Sequence, residues 1–167
     1  MPRHVTDATH QMVALESPRS AGPITGADEP PVTALRTRIM RSVRSQNSTP
    51  ELRVRRALHR AGFRYRLHVA RLPGTPDIVF AKRRVVIFVH GCFWHRHSGC
   101  RYASNPKTRV EFWTAKFNRN VRRDSENKAA LEAAGWRVIA IWECDVKSDR
   151  FLAPLLEALR HRVHAGL

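Results

Sequence analysis

The pattern of apolar positions predicts a helix that begins near Ser48. A hydroxyl side chain at that position, followed by Pro50 and Glu51, is typical of a helix start. Apolar residues then recur at helical spacing up to Gly62, which is expected to end the helix: Val54, Ala57, Leu58 and Ala61. Glu51 lies three residues before the first of these. Its carboxylate therefore either caps the helix or points inward from the first turn as a site residue.

The remaining pattern predicts a sheet covered by helices. Strand-like runs cover residues 63–69, 77–81, 85–90 and 137–143. Residues 82–84, Lys-Arg-Arg, form the turn between the second and third runs. Helices are predicted over residues 32–45, 108–134 and 151–163. The long helix opens with a second capping box, from Thr108 to Glu111, and stops at Gly135. This order of elements predicts an α/β fold with a mixed central sheet flanked by helices.

The charge is distributed unevenly along the 167 residues, whose net charge is +16. Residues 1–32 contain two basic and four acidic side chains, and they lack hydrophobic periodicity. They are interpreted as a disordered leader before a domain over residues 33–167. The domain has 28 basic and 10 acidic side chains. Its arginines are interleaved with aromatic residues, which favours nucleic acid as the partner over a solvated basic surface or a membrane-surface patch.

Features of an exported or membrane-spanning chain are not recognised in the sequence. The apolar runs are all shorter than the roughly 18 residues of a membrane span, and no signal peptide is recognised. The three cysteines are an odd number, which argues against a disulfide framework and favours metal binding or catalysis. A cytoplasmic location without membrane contact is expected.

A zinc site is predicted from four side chains that include every cysteine in the chain. The Cys₃His set consists of Cys92, His97, Cys100 and Cys144. The first three lie in one loop after a strand, and Cys144 is expected at the end of another strand. The set leaves no ligand position for water, so the zinc would be structural. The alternative is that the cysteines are buried free thiols.

The start of one predicted strand and the end of its neighbour indicate a nuclease. Asp77 opens a strand after a proline-rich turn, and the paired strand ends at Phe88 and His90. With Glu51 from the preceding helix, this layout resembles the PD-(D/E)xK, or restriction-endonuclease-like, fold. In that fold an acid and a lysine occupy the positions of Phe88 and His90. From the pattern alone, a lone Pro-Asp pair is a weak signal, and the alternative for Asp77 is a turn cap.

Four separated motifs resemble the very-short-patch-repair (Vsr) endonuclease family. They agree in order and spacing over roughly residues 33–150, and they are Pro73–Asp77, Val86–His95, Glu111–Trp113 and Trp142–Cys144. Two departures are a valine where threonine is common, at Val89, and a segment from His97 to Cys100 that is one residue longer. The resemblance implies a Mg²⁺-dependent DNA mismatch endonuclease. Such an enzyme nicks the thymine strand 5′ to the T of a T·G mismatch and initiates repair of deaminated 5-methylcytosine.

The resemblance also implies roles for individual residues. Asp77 would bind Mg²⁺ together with the main-chain carbonyl of Val89, and Glu51 would hold a water of the metal. His90 and His95 would be the catalytic histidines. A histidine can transfer protons near neutral pH, and we favour His95 as the acid/base and His90 as an outer group of the metal site. The zinc ligands implied by the family are the four side chains named above.

The DNA-binding residues implied by the resemblance include an aromatic wedge. They are Met40, Phe93, Trp94, Trp113 and Lys116. Core packing is the alternative for the aromatic residues. The expected protein is a monomer that binds double-stranded DNA with a T·G mismatch, and mismatch-repair proteins are candidate partners. Two other functions remain open: a non-catalytic zinc-stabilised DNA-binding protein, and a restriction-like nuclease that requires no mismatch.

Overall fold

The computed structural model describes residues 46–160. The elements in this range are α1 (Thr49–Arg60), β1 (Arg66–Leu67), β2 (Ile78–Phe80), a 3₁₀ helix (Ala81–Arg83), β3 (Val85–His90), α2 (Val110–Ala133), β4 (Arg137–Trp142), α3 (Glu143–Lys147) and α4 (Leu152–Arg160). The predicted leader, the predicted helix over 32–45 with Met40, and the end of the closing helix lie outside the described residues. The domain boundary at residue 32 therefore stays a prediction.

Helix α1 forms where its start signals and apolar spacing predict it. Ser48 is the N-cap, and its hydroxyl accepts a hydrogen bond from the backbone N–H of Glu51 over 3.4 Å. The buried positions Val54 and Leu58 are one turn apart and face the core. Gly62 has a positive φ of 84° directly after the helix, a conformation that glycine adopts without strain.

The sheet has the strand order β1-β2-β3-β4. β1 and β3 each pair antiparallel with β2, whereas β3 and β4 are parallel from Val85 opposite Arg137 to His90 opposite Trp142. Because β2 runs against β3, its start lies at the same edge of the sheet as the ends of β3 and β4. This edge, called the site edge below, brings the residues just before β2 close to those just after β3 and β4.

Helices cover both faces of the sheet, as a mixed α/β fold requires. Ile87 of β3 belongs to a core cluster with Leu58 of α1 and Leu155 of α4. The preceding residue, Val86, belongs to a second cluster with Leu131 of α2. The alternation along β3 therefore places α1 and α4 on one face and α2 on the other. The four-stranded mixed sheet with flanking helices confirms the predicted mixed α/β architecture.

Three local predictions are corrected by the structure. The strand predicted over 63–69 pairs only at Arg66–Leu67, because His68 adopts a left-handed φ of 46° that turns the chain out of the strand. The capping box from Thr108 to Glu111 is wrong. Helix α2 starts at Val110 after Arg109, whose φ of 53° is left-handed, and this N-cap makes no side-chain capping hydrogen bond. Cys144 lies in the first turn of the short helix α3 rather than at a strand end.

Helix α2 is long but amphipathic. Apart from Lys116, its less exposed positions recur three or four residues apart and form one face: Trp113, Phe117, Asn120, Asp124, Asn127 and Leu131. The other positions of the helix are mostly exposed. Among residues 46–160, no helix is both long and apolar enough to cross a membrane.

Candidate active site

Side chains suited to catalysis or metal binding meet at the site edge, although they lie in distant segments of the sequence. Asp77 directly precedes β2, His90 ends β3, and Cys144 lies in the first turn of α3, two residues after the end of β4. The loop after β3 supplies His95 and His97 at the same edge. The topology of the sheet therefore explains why residues far apart in the sequence meet here.

The carboxylate of Asp77 is fixed by the neighbouring strand. Its Oδ2 accepts a hydrogen bond from the backbone N–H of Val89 over 2.7 Å. Burial raises the pKa of Asp77 from 3.8 to about 6, the Val89 N–H opposes this rise, and the nearby charge of Glu51 adds to it. A buried carboxylate of raised pKa is ready to bind a cation, which restores the stability of its charged form. The turn-cap alternative for Asp77 does not account for its bond to β3.

Glu51 points into the protein from the first turn of α1. Its side chain is buried, and Oε1 lies 3.3 Å from Nη1 of Arg55 and 3.1 Å from Nε2 of His68. The carboxylate therefore faces the site edge, as the inward alternative for this residue predicts. Glu51, His68 and Asp77 each offer one ligand atom, and these atoms all lie within 4.8 Å of one another. His68 was not predicted from the sequence.

Two histidines form a parallel stack beside this carboxylate group. The rings of His90 and His95 have centroids 4.0 Å apart and planes within 7° of each other. Nδ1 of His95 lies 2.5 Å from Oδ2 of Asp124, a carboxylate of helix α2. Burial, and then the charge of His95, lower the pKa of His90 to about 4. His90 is therefore neutral at pH 7, and the contact with Asp124 fixes the orientation of the His95 ring.

Asp124 is a site residue that the sequence reasoning missed. It lies 29 positions after His95 along the chain, in a run of charged residues that is typical of a solvated helix face. Its spacing from Phe117 and Leu131 places it on the inward face of α2. A carboxylate at that spacing was the signal that could have identified it.

The predicted zinc ligands converge into one cluster. Their ligand atoms all lie within 4.8 Å of one another, with 3.3 Å between Sγ of Cys144 and Nδ1 of His97 and 3.7 Å between Sγ of Cys92 and the same nitrogen. Burial raises the pKa of the Cys92 thiol to about 12, so a metal would have to displace its proton. Three sulfurs and one imidazole fit a structural zinc ion. Cys100 completes the set.

An aromatic cluster joins the loop after β3 to the start of α2. Phe93 contacts Trp94, Trp113 and Phe117 with centroids 5.0 to 5.6 Å apart. Trp113 and Phe117 are buried, whereas Phe93 and Trp94 are half-buried. Nζ of Lys116 lies 5.1 Å from the centre of the Trp94 ring. The buried pair thus forms a base for the two predicted wedge residues of the loop.

The backbone of this loop is fixed by helix α2. Nδ2 of Asn120 donates a hydrogen bond to the carbonyl of Trp94 over 3.1 Å. Phe112, next to the buried tryptophan, is 43% exposed and adds an outward aromatic ring that was not among the predicted wedge residues. The loop and α2 together present aromatic and cationic side chains beside the stacked histidines.

The comparisons with known proteins agree with one another. Residues 32–101 match the family model described as DNA mismatch endonuclease Vsr. The chain is 54% identical over 108 residues to the type II nicking enzyme V.XorIIP of Xanthomonas oryzae pv. oryzae, covering 65% of this chain and 79% of that protein. It is 42% identical over 127 residues to V.NmeAIP of Neisseria meningitidis, covering 76% and 90%. It is 40% identical over 130 residues to the DNA mismatch endonuclease Vsr of Escherichia coli, covering 78% and 81%.

Proposed function

Because this chain belongs to the Vsr family of DNA endonucleases, which have a PD-(D/E)xK-like fold, we propose that it recognises T·G mismatches and nicks the thymine-containing strand 5′ to the mismatched T. The proposed reaction is Mg²⁺-dependent hydrolysis of one phosphodiester bond, as the first step of very short patch repair. The observation that supports it most directly is the meeting of a buried carboxylate, two stacked histidines and an aromatic cluster at the site edge.

Asp77 and the main-chain carbonyl of Val89 are the proposed ligands of Mg²⁺. The hydrogen bond from the Val89 N–H holds Oδ2 of Asp77, which leaves Oδ1 for the cation. When bound, Mg²⁺ supplies positive charge at the scissile phosphate and lowers the pKa of the attacking water. Glu51 acts from the outer side of this site, where its carboxylate orients water.

His95 is the proposed proton-transfer group. Its Nδ1 faces Asp124, so Nε2 is the nitrogen available to the substrate. Asp124 orients the ring and stabilises the positive charge that develops when Nε2 takes up a proton. The ring of His90 packs in parallel against the ring of His95 and stays neutral. Its proposed role is to position His95 and to complete the surroundings of Asp77.

Mismatch selectivity is assigned to the aromatic cluster. Phe93 and Trp94 pack against the buried rings of Trp113 and Phe117. This support keeps the two side chains in place when they insert between base pairs. Separating stacked base pairs costs a few kcal/mol and costs least at a mismatch, so insertion favours T·G over a matched pair. Lys116 adds positive charge beside Trp94, where it can contact phosphate.

The proposed function is tested with two strand-labelled duplexes that differ only in a T·G or a matched pair. Purified protein, loaded with zinc, is incubated with each duplex and Mg²⁺, and single-turnover nicking of each strand is measured. We expect one nick, on the thymine strand of the T·G duplex. Asp77→Ala should abolish nicking while it still binds the duplex, because the basic surface is unchanged.

Each contrary result would change the assignment. Equal nicking of matched and mismatched duplexes would support the restriction-like alternative and remove mismatch recognition from the proposal. Near wild-type nicking by Asp77→Ala would place the Mg²⁺ site elsewhere. The exposed carboxylate Asp149, varied as Asp149→Ala, serves as the matched control and should nick normally.

A further inference from the structure

His68 has an unexplained nitrogen at the site edge. Nε2 is buried and makes no hydrogen bond, although it lies 3.1 Å from Oε1 of Glu51. The two atoms are therefore at ion-pair distance but are poorly aligned for hydrogen bonding. A buried nitrogen without a hydrogen-bond partner is destabilising unless a ligand satisfies it. A ligand bound jointly by His68, Glu51 and Asp77 would satisfy this nitrogen.

The spacing of the three side chains suits a metal ion. Their ligand atoms lie within 4.8 Å of one another. An octahedral ion with bonds of about 2.1 Å holds neighbouring ligands about 3 Å apart. The 3.1 Å separation of Glu51 Oε1 and His68 Nε2 already matches that value, and an oxygen of Asp77 lies within 4.8 Å of both ligand atoms.

The chemistry of this ligand set differs from that of a magnesium site. Mg²⁺ is bound mostly through oxygen, whereas imidazole nitrogen is a ligand for transition metals. Two carboxylates and one imidazole suit Mn²⁺ or another divalent transition-metal ion. We propose that Glu51, His68 and Asp77 form a second cation site that selects Mn²⁺ over Mg²⁺ through the nitrogen of His68.

This inference rests on the proposed function, because Asp77 is shared with the proposed Mg²⁺ site. The second site takes Glu51 and His68 as its other ligands, whereas the proposed Mg²⁺ site takes the main-chain carbonyl of Val89. A cation at the second site would also lie at the site edge, beside the position proposed for the scissile phosphate. Mn²⁺ should therefore support nicking as well as Mg²⁺ does or better.

The competing explanation is an ion pair in which His68 only positions Glu51. Arg55 already lies 3.3 Å from the same carboxylate oxygen, so the charge of Glu51 has a partner without His68. A positioning role would affect nicking but would place no nitrogen on a bound metal. The two explanations therefore differ in a spectroscopic signature.

The test uses the full-length, zinc-loaded protein with Mn²⁺ as the probe. Electron paramagnetic resonance titration measures Mn²⁺ affinity, competition measures Mg²⁺ affinity, and pulsed methods detect nitrogen hyperfine coupling to the bound Mn²⁺. The variants are His68→Gln and, as a matched control, His59→Gln at an exposed histidine of helix α1. Histidine labelled with ¹⁵N in the wild-type protein identifies the coupled nitrogen as imidazole.

We expect imidazole coupling in the wild type and in His59→Gln but not in His68→Gln. The affinity of His68→Gln for Mn²⁺ should fall by about tenfold or more, while its affinity for Mg²⁺ changes by less than about threefold. Wild-type protein without imidazole coupling, or coupling that persists in His68→Gln, overturns the proposal. The labelled wild type answers the question even if the variant folds poorly.

Nicking of the T·G duplex separates the two levels of failure. Slower Mg²⁺-dependent nicking by His68→Gln with unchanged Mn²⁺ binding would overturn the metal site and leave the proposed endonuclease intact. Imidazole coupling in a protein that nicks no duplex would support the metal site and overturn the proposed function.

Discussion

The burial of Asp77 leads to a prediction that can be tested without DNA. Asp77→Asn should stabilise the protein at pH 7 when no Mg²⁺ is added. Burial is the main reason that the pKa of this carboxyl rises from 3.8 to about 6, so its charged form is less stable in the folded protein than in the unfolded chain. Asparagine removes the charge, and its amide oxygen can still accept the hydrogen bond from the N–H of Val89.

The size and sign of the effect follow from the pKa. A rise from 3.8 to about 6 corresponds to about 3 kcal/mol at pH 7, and relaxation around the charge makes a gain of about 1–3 kcal/mol the expectation for the variant. As the pH falls through 6, the folded wild type takes up the proton before the unfolded chain does. The stability of the wild type relative to Asp77→Asn therefore increases from pH 7 towards pH 4, where the folded wild type is protonated and the carboxyl of the unfolded chain, with a pKa of 3.8, is partly protonated.

Thermal melting without added Mg²⁺ at pH 7, 6, 5 and 4 measures this effect. At pH 7 we expect Asp77→Asn to melt a few degrees to about 10 °C above the wild type, with a difference that shrinks at lower pH. Asp149→Asn is the control, because that carboxylate is exposed and pairs with Arg53 at the surface over 2.8 Å. A variant that is no more stable at pH 7, or an advantage that is constant with pH, would refute the reasoning.

Three further predictions concern single side chains. Asp124→Asn should slow single-turnover nicking by about tenfold to about 150-fold, since a hydrogen bond to a charged group contributes about 1.5–3 kcal/mol, and Glu126→Gln on the exposed side of the same helix should not. Cys144→Ser should lose zinc by elemental analysis and several kcal/mol of stability by denaturant unfolding; full zinc content with unchanged unfolding would contradict it. Trp94→Ala should keep zinc and melting temperature and reduce the preference for T·G over matched duplex by about 1–3 kcal/mol in paired binding assays. Unfolding of Trp94→Ala, or an unchanged preference, would instead indicate core packing.

The elements that local signals define were predicted well. Strand β3 has the predicted bounds Val85–His90, because a continuous apolar run is closed by a basic turn on one side and a glycine on the other. Helix α1 begins after Ser48 because the cap, the proline and the apolar spacing agree. In both cases the neighbouring residues alone contain enough information to determine the element.

The errors occur where one backbone conformation overrides a plausible motif. Thr108 would cap a helix if the next residue were helical, but Arg109 is left-handed and shifts the start of α2. His68 likewise ends strand β1 after two paired residues although apolar residues continue beyond it. Non-glycine residues seldom adopt positive φ, and local composition gives little indication of which ones do so.

The candidate site was predictable to the extent that its residues belong to motifs. Asp77 and His90 lie at strand ends, Cys92 and Cys100 lie in the loop after β3, and Cys144 lies in the helix that follows β4, so their convergence follows from sheet topology. Asp124 and His68 belong to no motif. Their positions depend on how helix α2 and strand β1 pack against the site edge, which the sequence pattern alone does not determine.

The predicted zinc ligands are connected to the proposed catalytic histidines through Trp142, an aromatic side chain of β4. The ring of His97 stacks on Trp142 with centroids 4.1 Å apart and planes within 2° of each other. Trp142 in turn contacts His90 edge-on at 5.3 Å, and His90 stacks on His95. A metal held by His97 would therefore fix one end of a packed series of rings whose other end is the proton-transfer group. Since rings in contact transmit a displacement to one another, loss of the metal should disturb the orientation of His95 even where the sheet remains folded.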